Sequence, residues 1–187
     1  NYIATSSTMI RLDEISSIKF KKEFIVAEDY EVWIQIIRNC KIGHIHSPLT
    51  KYRVHDESIS IQKDQLMLDT EIKLIKQQLN ELQCELKDNE FQVFLALSKE
   101  NYDPYFDKFS VVNQTITKLF LANSNSLIFN QSSFRNLLYR YWHVFFVQIK
   151  IYNLPLLQEI IKSGMFKLLS IEEKIKLIFK SIIKFKS

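Results

Sequence analysis

The sequence predicts a short α/β segment in residues 1–60 followed by a mainly α-helical region in residues 61–187, so that helix predominates overall. Two observations lead to this prediction. The 187 residues include only 2 glycines and 3 prolines, which favours long uninterrupted helices over a fold with many turns. The apolar spacing also changes near residue 60, from a mixed pattern to the pattern of helices alone.

The first region is expected to place one helix among short strands. Residues 3–10 are predicted as a strand. Apolar side chains then recur at helical spacing at Tyr30, Trp33, Ile34 and Ile37. This spacing predicts a helix over residues 28–40. Two further short strands are predicted at 41–47 and 49–55, separated by Pro48.

The second region is expected to contain helices only. They are predicted at about 91–99, 107–122, 132–153, 155–163 and 171–186, after an earlier helix marked by an apolar stripe at Leu68, Ile72, Ile75, Leu79, Leu82 and Leu86. The 4-3-4-3-4 spacing of that stripe predicts either packing within the chain or a homodimer seam over 68–86. Asn123–Ser126 is predicted as a polar break, and Ser170 with Glu173 as a capping box.

The most informative stretch carries a Glu-Asp pair at a helix start and a basic, histidine-containing run after it. Residues 27–38 read A-E-D-Y-E-V-W-I-Q-I-I-R, and residues 41–60 read K-I-G-H-I-H-S-P-L-T-K-Y-R-V-H-D-E-S-I-S. This combination resembles the C-terminal portion of the catalytic domain of family 2 glycosyltransferases. The resemblance covers residues 1–60 and implies that they are an α/β fragment of an inverting GT-A glycosyltransferase domain, the acceptor-side part, with residues 61–187 as a helical extension.

The resemblance also implies roles for individual residues. Asp29 is expected to be the catalytic base, because a carboxylate at a helix N-terminus is stabilised in its charged form. Glu28 and Trp33 are expected to bind the acceptor or to support Asp29. Arg53 and His55 are expected to face the diphosphate of the donor, and His55 is also a possible ligand of its metal.

The implied reaction moves a sugar from a nucleotide-sugar donor to a glycan or lipid-linked acceptor, as in bacterial surface polysaccharide synthesis, with a divalent cation, Mg²⁺ or Mn²⁺, in the full-length enzyme. The sequence departs from the family pattern because it contains no Asp-x-Asp motif. Residues 1–26 also leave no room for a nucleotide-binding βαβ unit. We therefore expect that this chain binds no metal firmly and is inactive alone. The alternative function is a non-catalytic helical interaction module.

The charge distribution bears on partners and location. Residues 101–187 hold 12 basic and 5 acidic side chains, although the whole chain has a net charge of only +4. That modest total, without a base-reading motif, argues against nucleic acid. The apolar and lysine-rich segment 171–187 predicts either a helix on an anionic membrane or a helix packed in the core. The expected location is cytoplasmic, or peripheral on the inner face of the cell membrane.

Overall fold

The computed structural model describes residues 3–16, 18–24, 26–51, 64–105, 108–149 and 152–183. Within these ranges the α-helices are α1 (Glu28–Asn39), α2 (Asp64–Glu81), α3 (Asp88–Ser98), α4 (Phe109–Ser126), α5 (Gln131–Val147), α6 (Leu154–Lys162) and α7 (Ile171–Ile183). Short 3₁₀ helices lie at Thr5–Ser7, Leu12–Ile15, Asp103–Tyr105 and Met165–Leu168. The chain divides into two compact units, Asn1–Gln78 and Leu79–Ser187, with the division inside α2.

The prediction of an α/β fold is wrong. The described part of the chain contains helices, turns and irregular segments, and no β-strand. Residues 3–10 include a 3₁₀ helix where a strand was expected, and residues 41–51 are irregular. The rest of the second predicted strand, residues 52–55, lies outside the described residues. The α/β GT-A fragment inferred from the resemblance therefore has no counterpart among the described residues, whereas the prediction that helix predominates is confirmed.

The physical reason lies in what a strand requires. A pair of short strands is marginal in water unless a third strand or a helix covers its apolar face. Residues 41–51 are all exposed, including Ile42, Ile45 and Leu49 at 54%, 69% and 74% of their full accessibility. The apolar side chains of this alternating segment therefore have no surface to pack against, and the alternation alone does not produce a strand.

The first unit is built around one face of α1. Val32, Trp33 and Ile36 are buried on that face. The side chains that pack against them come mainly from the segment before α1 and are Ile3, Ile10, Ile15, Ile18 and Cys40. The helix predicted over residues 28–40 is confirmed, and its apolar face holds the preceding segment in place.

The second unit is a helical assembly in which α4 packs against α3, α5 and α6, and α7 packs against α6. A buried polar network joins three of these helices. Trp142 Nε1 on α5 donates to Asn113 Oδ1 on α4 at 2.9 Å, and Asn113 Nδ2 donates to Glu159 Oε1 on α6 at 3.2 Å. Trp142 is fully buried and Asn113 is 3% exposed, so both groups depend on each other for hydrogen bonding.

A second buried polar contact joins α3 to α4. Glu90, which is 3% exposed, accepts hydrogen bonds from Lys118 Nζ at 2.6 Å and from the backbone N–H of Lys87 at 2.7 Å. Burial alone would raise the pKa of Glu90, but these two donors outweigh it and leave the pKa below its usual value.

Three predicted helix ends, those of α2, α4 and α5, are wrong. The helix carrying the apolar stripe ends at Glu81, because Gln83 adopts a left-handed conformation (φ 55°). The N–H groups of Gln83 and Cys84 then bond to the carbonyls of Asn80 and Leu79, which closes the helix in a Schellman motif. Leu82 therefore lies beyond the helix, and the stripe does not run over three continuous heptads. Homodimerisation through 68–86 stays a prediction.

The expected break at Asn123–Ser126 is instead the last turn of α4. The hydroxyls of Ser124 and Ser126 donate back to the carbonyls of Phe120 and Ala122, which lets these polar residues remain helical. Asn123 pairs through both its amide atoms with the backbone of Phe129 in the following loop. Helix α5 ends at Val147, earlier than predicted.

The N-terminus of α7 is fixed by the predicted capping box, which is confirmed. Ser170 Oγ accepts from the N–H of Glu173 at 3.2 Å, and Glu173 Oε2 accepts from the N–H of Ser170 at 2.8 Å. The other oxygen of Glu173 lies 2.6 Å from His143 Nε2 on α5. This hydrogen bond is the main cause that lowers the pKa of Glu173.

We predict that Asn113→Ala destabilises the helical unit by about 1–3 kcal/mol, because it leaves the buried Trp142 N–H without an acceptor. The matched control is Asn125→Ala on the same helix, since Asn125 is exposed. Urea unfolding of both variants measures the difference. Equal stabilities would contradict the network.

We also predict a pH-dependent contribution from Glu173. Because its pKa is lower in the folded chain than in the unfolded chain, the stabilisation is fully present above the unfolded pKa, near pH 4.5, and is lost as the pH falls through the folded pKa. Glu173→Gln should therefore be less stable than the parent at neutral pH, and the gap should narrow in acid. Thermal unfolding from pH 7 to pH 3 tests this, with the exposed Glu172→Gln as the control. A gap that is independent of pH would contradict it.

Candidate functional site

The first turn of α1 carries the Glu-Asp pair, and the backbone before it is unusual. Ala27, the residue that precedes the helix, has φ 57° and ψ 26°, in the left-handed region that alanine rarely adopts. Its side chain cannot cap the helix, so the first-turn N–H groups receive no side-chain acceptor from this position. Glu28 is exposed and Asp29 is half-buried at this helix start.

Thr5 links Asp29 to Trp33. The hydroxyl of Thr5 donates to Asp29 Oδ2 at 3.0 Å and accepts from Trp33 Nε1 at 3.3 Å. The indole N–H thus fixes the Thr5 oxygen, and the Thr5 hydroxyl in turn fixes one carboxylate oxygen. Two of the residues singled out in the sequence, Asp29 and Trp33, are therefore brought together through a residue that sequence reasoning missed.

The burial of Trp33 limits what it can do. Its side chain is 6% exposed and belongs to the core of the first unit. Its indole N–H points to Thr5, and its ring packs among aliphatic side chains. This position suits support of Asp29 rather than direct stacking on an acceptor. Glu28, one position before Asp29 and exposed, is the member of the pair that reaches solvent most freely.

A third acidic residue in the same turn, Glu31, was not singled out from the sequence. It is 4% exposed, its Oε1 lies 2.6 Å from Lys21 Nζ, and its Oε2 accepts from Gln35 Nε2 at 2.6 Å. The ion pair with Lys21 anchors residue 21 to α1, and the hydrogen bond from Gln35, one turn further along the helix, holds the other oxygen. Glu31 has a structural role in this arrangement. The sequence signal that could have predicted it is the spacing of four residues between Glu31 and Gln35, which places them on one face of the helix.

The predicted donor-side and metal-ligating residues are the next to be located. Arg53 and His55 fall outside the described residues. The described residues bring together no group of three or more His, Cys, Asp or Glu side chains able to hold a metal ion. His44 and His46 are exposed neighbours whose rings meet edge to face at 4.7 Å, without a third ligand beside them. The described residues therefore do not fit the divalent cation that the resemblance implies.

The helical unit offers no comparable arrangement among its described residues. Trp142 is fully buried and stacks on Phe146 at 5.0 Å, so this aromatic stretch forms core rather than a platform for a ligand. One shallow cavity of about 80 Å³ is lined by Phe146, Val147, Tyr152, Glu173, Lys176 and Leu177. It is smaller than the ~300–1,000 Å³ typical of small-molecule sites.

Comparisons with known proteins add no family. No family model, no curated protein and no solved structure matches this chain. The start of α1, with Asp29, Thr5 and Trp33, is therefore assigned as the candidate site on its own chemistry and on the sequence pattern around it.

We predict that Thr5→Val loosens the start of α1, because valine keeps the shape but leaves the buried Trp33 N–H without its acceptor. The expected cost is about 1 kcal/mol for a lost hydrogen bond of this kind. Amide hydrogen exchange of residues 28–39 reports the first unit separately from the helical unit. Thr5→Ser, which keeps the hydroxyl, should retain the parent protection. Equal protection in Thr5→Val would contradict the bridge.

Proposed function

We propose that this chain is part of an inverting glycosyltransferase that moves a sugar from a nucleotide-sugar donor to a glycan or lipid-linked acceptor. The single observation that carries the proposal is the carboxylate of Asp29, which lies in the first turn of α1 and is oriented by Thr5. The sequence around it, which resembles family 2 glycosyltransferases, supports the same chemistry.

The reaction requires a base on the acceptor side. The acceptor hydroxyl attacks the anomeric carbon of the donor, the bond from that carbon to the diphosphate oxygen breaks, and the nucleoside diphosphate leaves. Asp29 takes the proton of the attacking hydroxyl as the new glycosidic bond forms. A helix N-terminus suits this role because its dipole stabilises negative charge, and the half-buried position leaves the carboxylate within reach of an acceptor.

Neighbouring groups supply orientation in this proposal. The Thr5 hydroxyl holds Asp29 Oδ2, and the Trp33 N–H holds Thr5, so both act as positioning residues. Glu28 is exposed beside Asp29 and is proposed to bind acceptor hydroxyls.

The donor side is assigned to other sequence. Arg53 and His55 are proposed to face the diphosphate, but the chain contains no Asp-x-Asp motif. The donor and its cation would then be held largely outside these residues, so this chain alone is proposed to be inactive. The resemblance to family 2 glycosyltransferases leads us to propose that the reaction takes place in the cytoplasm or on the inner face of the cell membrane. No helix in the described ranges is long and apolar enough to cross a bilayer.

A non-catalytic interaction module is the second candidate. The observation that favours it is the helical unit, where the described residues form core and no catalytic cluster. In that case the Glu-Asp pair would serve only to begin α1. The two functions differ in whether chemistry at Asp29 matters, and the next experiment separates them.

We predict that Asp29→Asn in the full-length protein lowers sugar transfer by about 10²–10⁴-fold, because the amide keeps the shape but cannot take a proton. Transfer to glycan and lipid-linked acceptors is measured with a panel of common nucleotide-sugars. Binding of the donor, measured by calorimetry, should be unchanged.

The matched control is Glu23→Gln, which removes one exposed carboxylate of the same unit and should leave transfer unchanged. Turnover of Asp29→Asn within threefold of the parent would exclude Asp29 as the base. Absence of transfer by the parent protein with every donor would favour the interaction module.

A further inference from the structure

Helix α7 exposes an apolar face to solvent. Six large apolar side chains on this face are exposed, at 38–75% of their full accessibility. They are Ile171, Ile175, Ile178, Phe179, Ile182 and Ile183. We call these six residues the outer face of α7. At 100° per residue they occupy one sector about 140° wide. A continuous patch of large apolar side chains on a surface marks an interaction site rather than scattered exposure.

The core uses a different and narrower side of the same helix. Leu177 and Ser181 are fully buried, and they lie one turn apart on the side roughly opposite the outer face. Glu173 extends this inner side to His143 on α5. The helix is therefore fastened to its own unit without using its isoleucines. The sequence left open whether this face packs in the core or lies on a membrane, and in the described part of the chain its six apolar side chains are exposed.

Lysines border the outer face on both sides. Lys174 lies on one border, near the ring of Phe166, and Lys176 and Lys180 lie on the other. Lys180 is exposed and its Nζ stands 4.8 Å from the ring centre of Tyr152. Lysine stems can lie along an apolar boundary while their ammonium groups reach anionic groups beside it. Glu172 is exposed at the N-terminal end of the helix and lies within this sector, between the directions of Phe179 and Ile183.

The charge pattern distinguishes between occupants. In a symmetric pair of copies the same face meets itself, so the lysine borders of one helix would face the lysine borders of the other. Like charges in that position oppose association. An anionic bilayer instead offers an apolar layer for the isoleucines and phenylalanine and negative headgroups for both borders.

We propose that α7 lies flat on an anionic lipid bilayer, with its outer face in the acyl–headgroup boundary and Lys174, Lys176 and Lys180 at the headgroups. The helix is too short and too charged to cross the bilayer, which fits a surface orientation. The surface binds the membrane whether or not the chain transfers sugar, because neither donor nor acceptor takes part in this contact.

The test uses the protein with vesicles of phosphatidylcholine alone and of phosphatidylcholine mixed with phosphatidylglycerol. Sedimentation should show binding to the mixed vesicles only, with a steep loss as salt is raised from low to physiological concentration. Phe179→Trp should show a blue shift with the mixed vesicles, measured against the parent spectrum, which contains Trp33 and Trp142. Bromine-labelled lipid should quench the new signal.

Two pairs of variants separate the contributions of charge and apolar contact. Lys176→Gln with Lys180→Gln should weaken binding by about fivefold per lysine, and the exposed control pair Lys19→Gln with Lys22→Gln should not. Ile175→Gln with Phe179→Gln should weaken binding at least as strongly.

The apolar control for that second pair is Ile42→Gln with Ile45→Gln, which removes two exposed isoleucines far along the chain from α7. Circular dichroism verifies that each variant keeps its helices. Equal binding to both vesicle types, or no binding to the mixed vesicles, would overturn the proposal. Concentration-dependent self-association that the outer-face variants abolish would assign the face to a second copy of the chain and would also overturn it.

Discussion

The helical unit depends on the amide of Asn113, a buried polar group that three of the described helices share. It accepts from the indole of Trp142 and donates to Glu159, so α4, α5 and α6 meet at one buried point. Buried polar groups of this kind are costly unless each is satisfied, which makes the arrangement specific as well as stable. The position of α5 then fixes His143, and His143 holds Glu173 at the start of α7. The orientation of the last helix thus follows from a contact near the centre of the unit.

Local signals in the sequence predicted local structure well. The helix over residues 28–40 and the capping box of Ser170 and Glu173 are confirmed, because both depend on residues three or four apart. The predicted strands failed because pairing is not local: alternation at 41–51 says nothing about whether a partner exists. The end of α2 was also not predicted. The left-handed residue that ends a helix is usually glycine, and here it is Gln83.

At the candidate site, too, the sequence predicted some of the residues and not others. Asp29 and Glu28 could be named because they lie at a helix start inside a recognisable pattern. Thr5 could not, because it reaches Asp29 from 24 residues away and is one of several hydroxyl residues in its segment. The burial of Trp33 was equally hidden, since an aromatic residue on a helix face reads the same whether its ring meets a ligand or a core. What the structure adds at this site is therefore orientation: it shows which atom holds the carboxylate.

Helix α7 shows why an amphipathic pattern is ambiguous in sequence. Its isoleucines recur at a spacing that serves equally for a core and for a membrane surface. The structure distinguishes the two because only Leu177 and Ser181 are fully buried against the rest of the unit. The inner side that attaches the helix is therefore narrow, and it does not include the apolar outer face. Helix α7 is attached to its own unit through Leu177, Ser181 and the carboxylate of Glu173, and its six outer-face side chains stay exposed. Exposing these apolar side chains to water costs free energy unless another surface covers them. The lysines on both borders then restrict that surface to one that is apolar within and anionic at its edges.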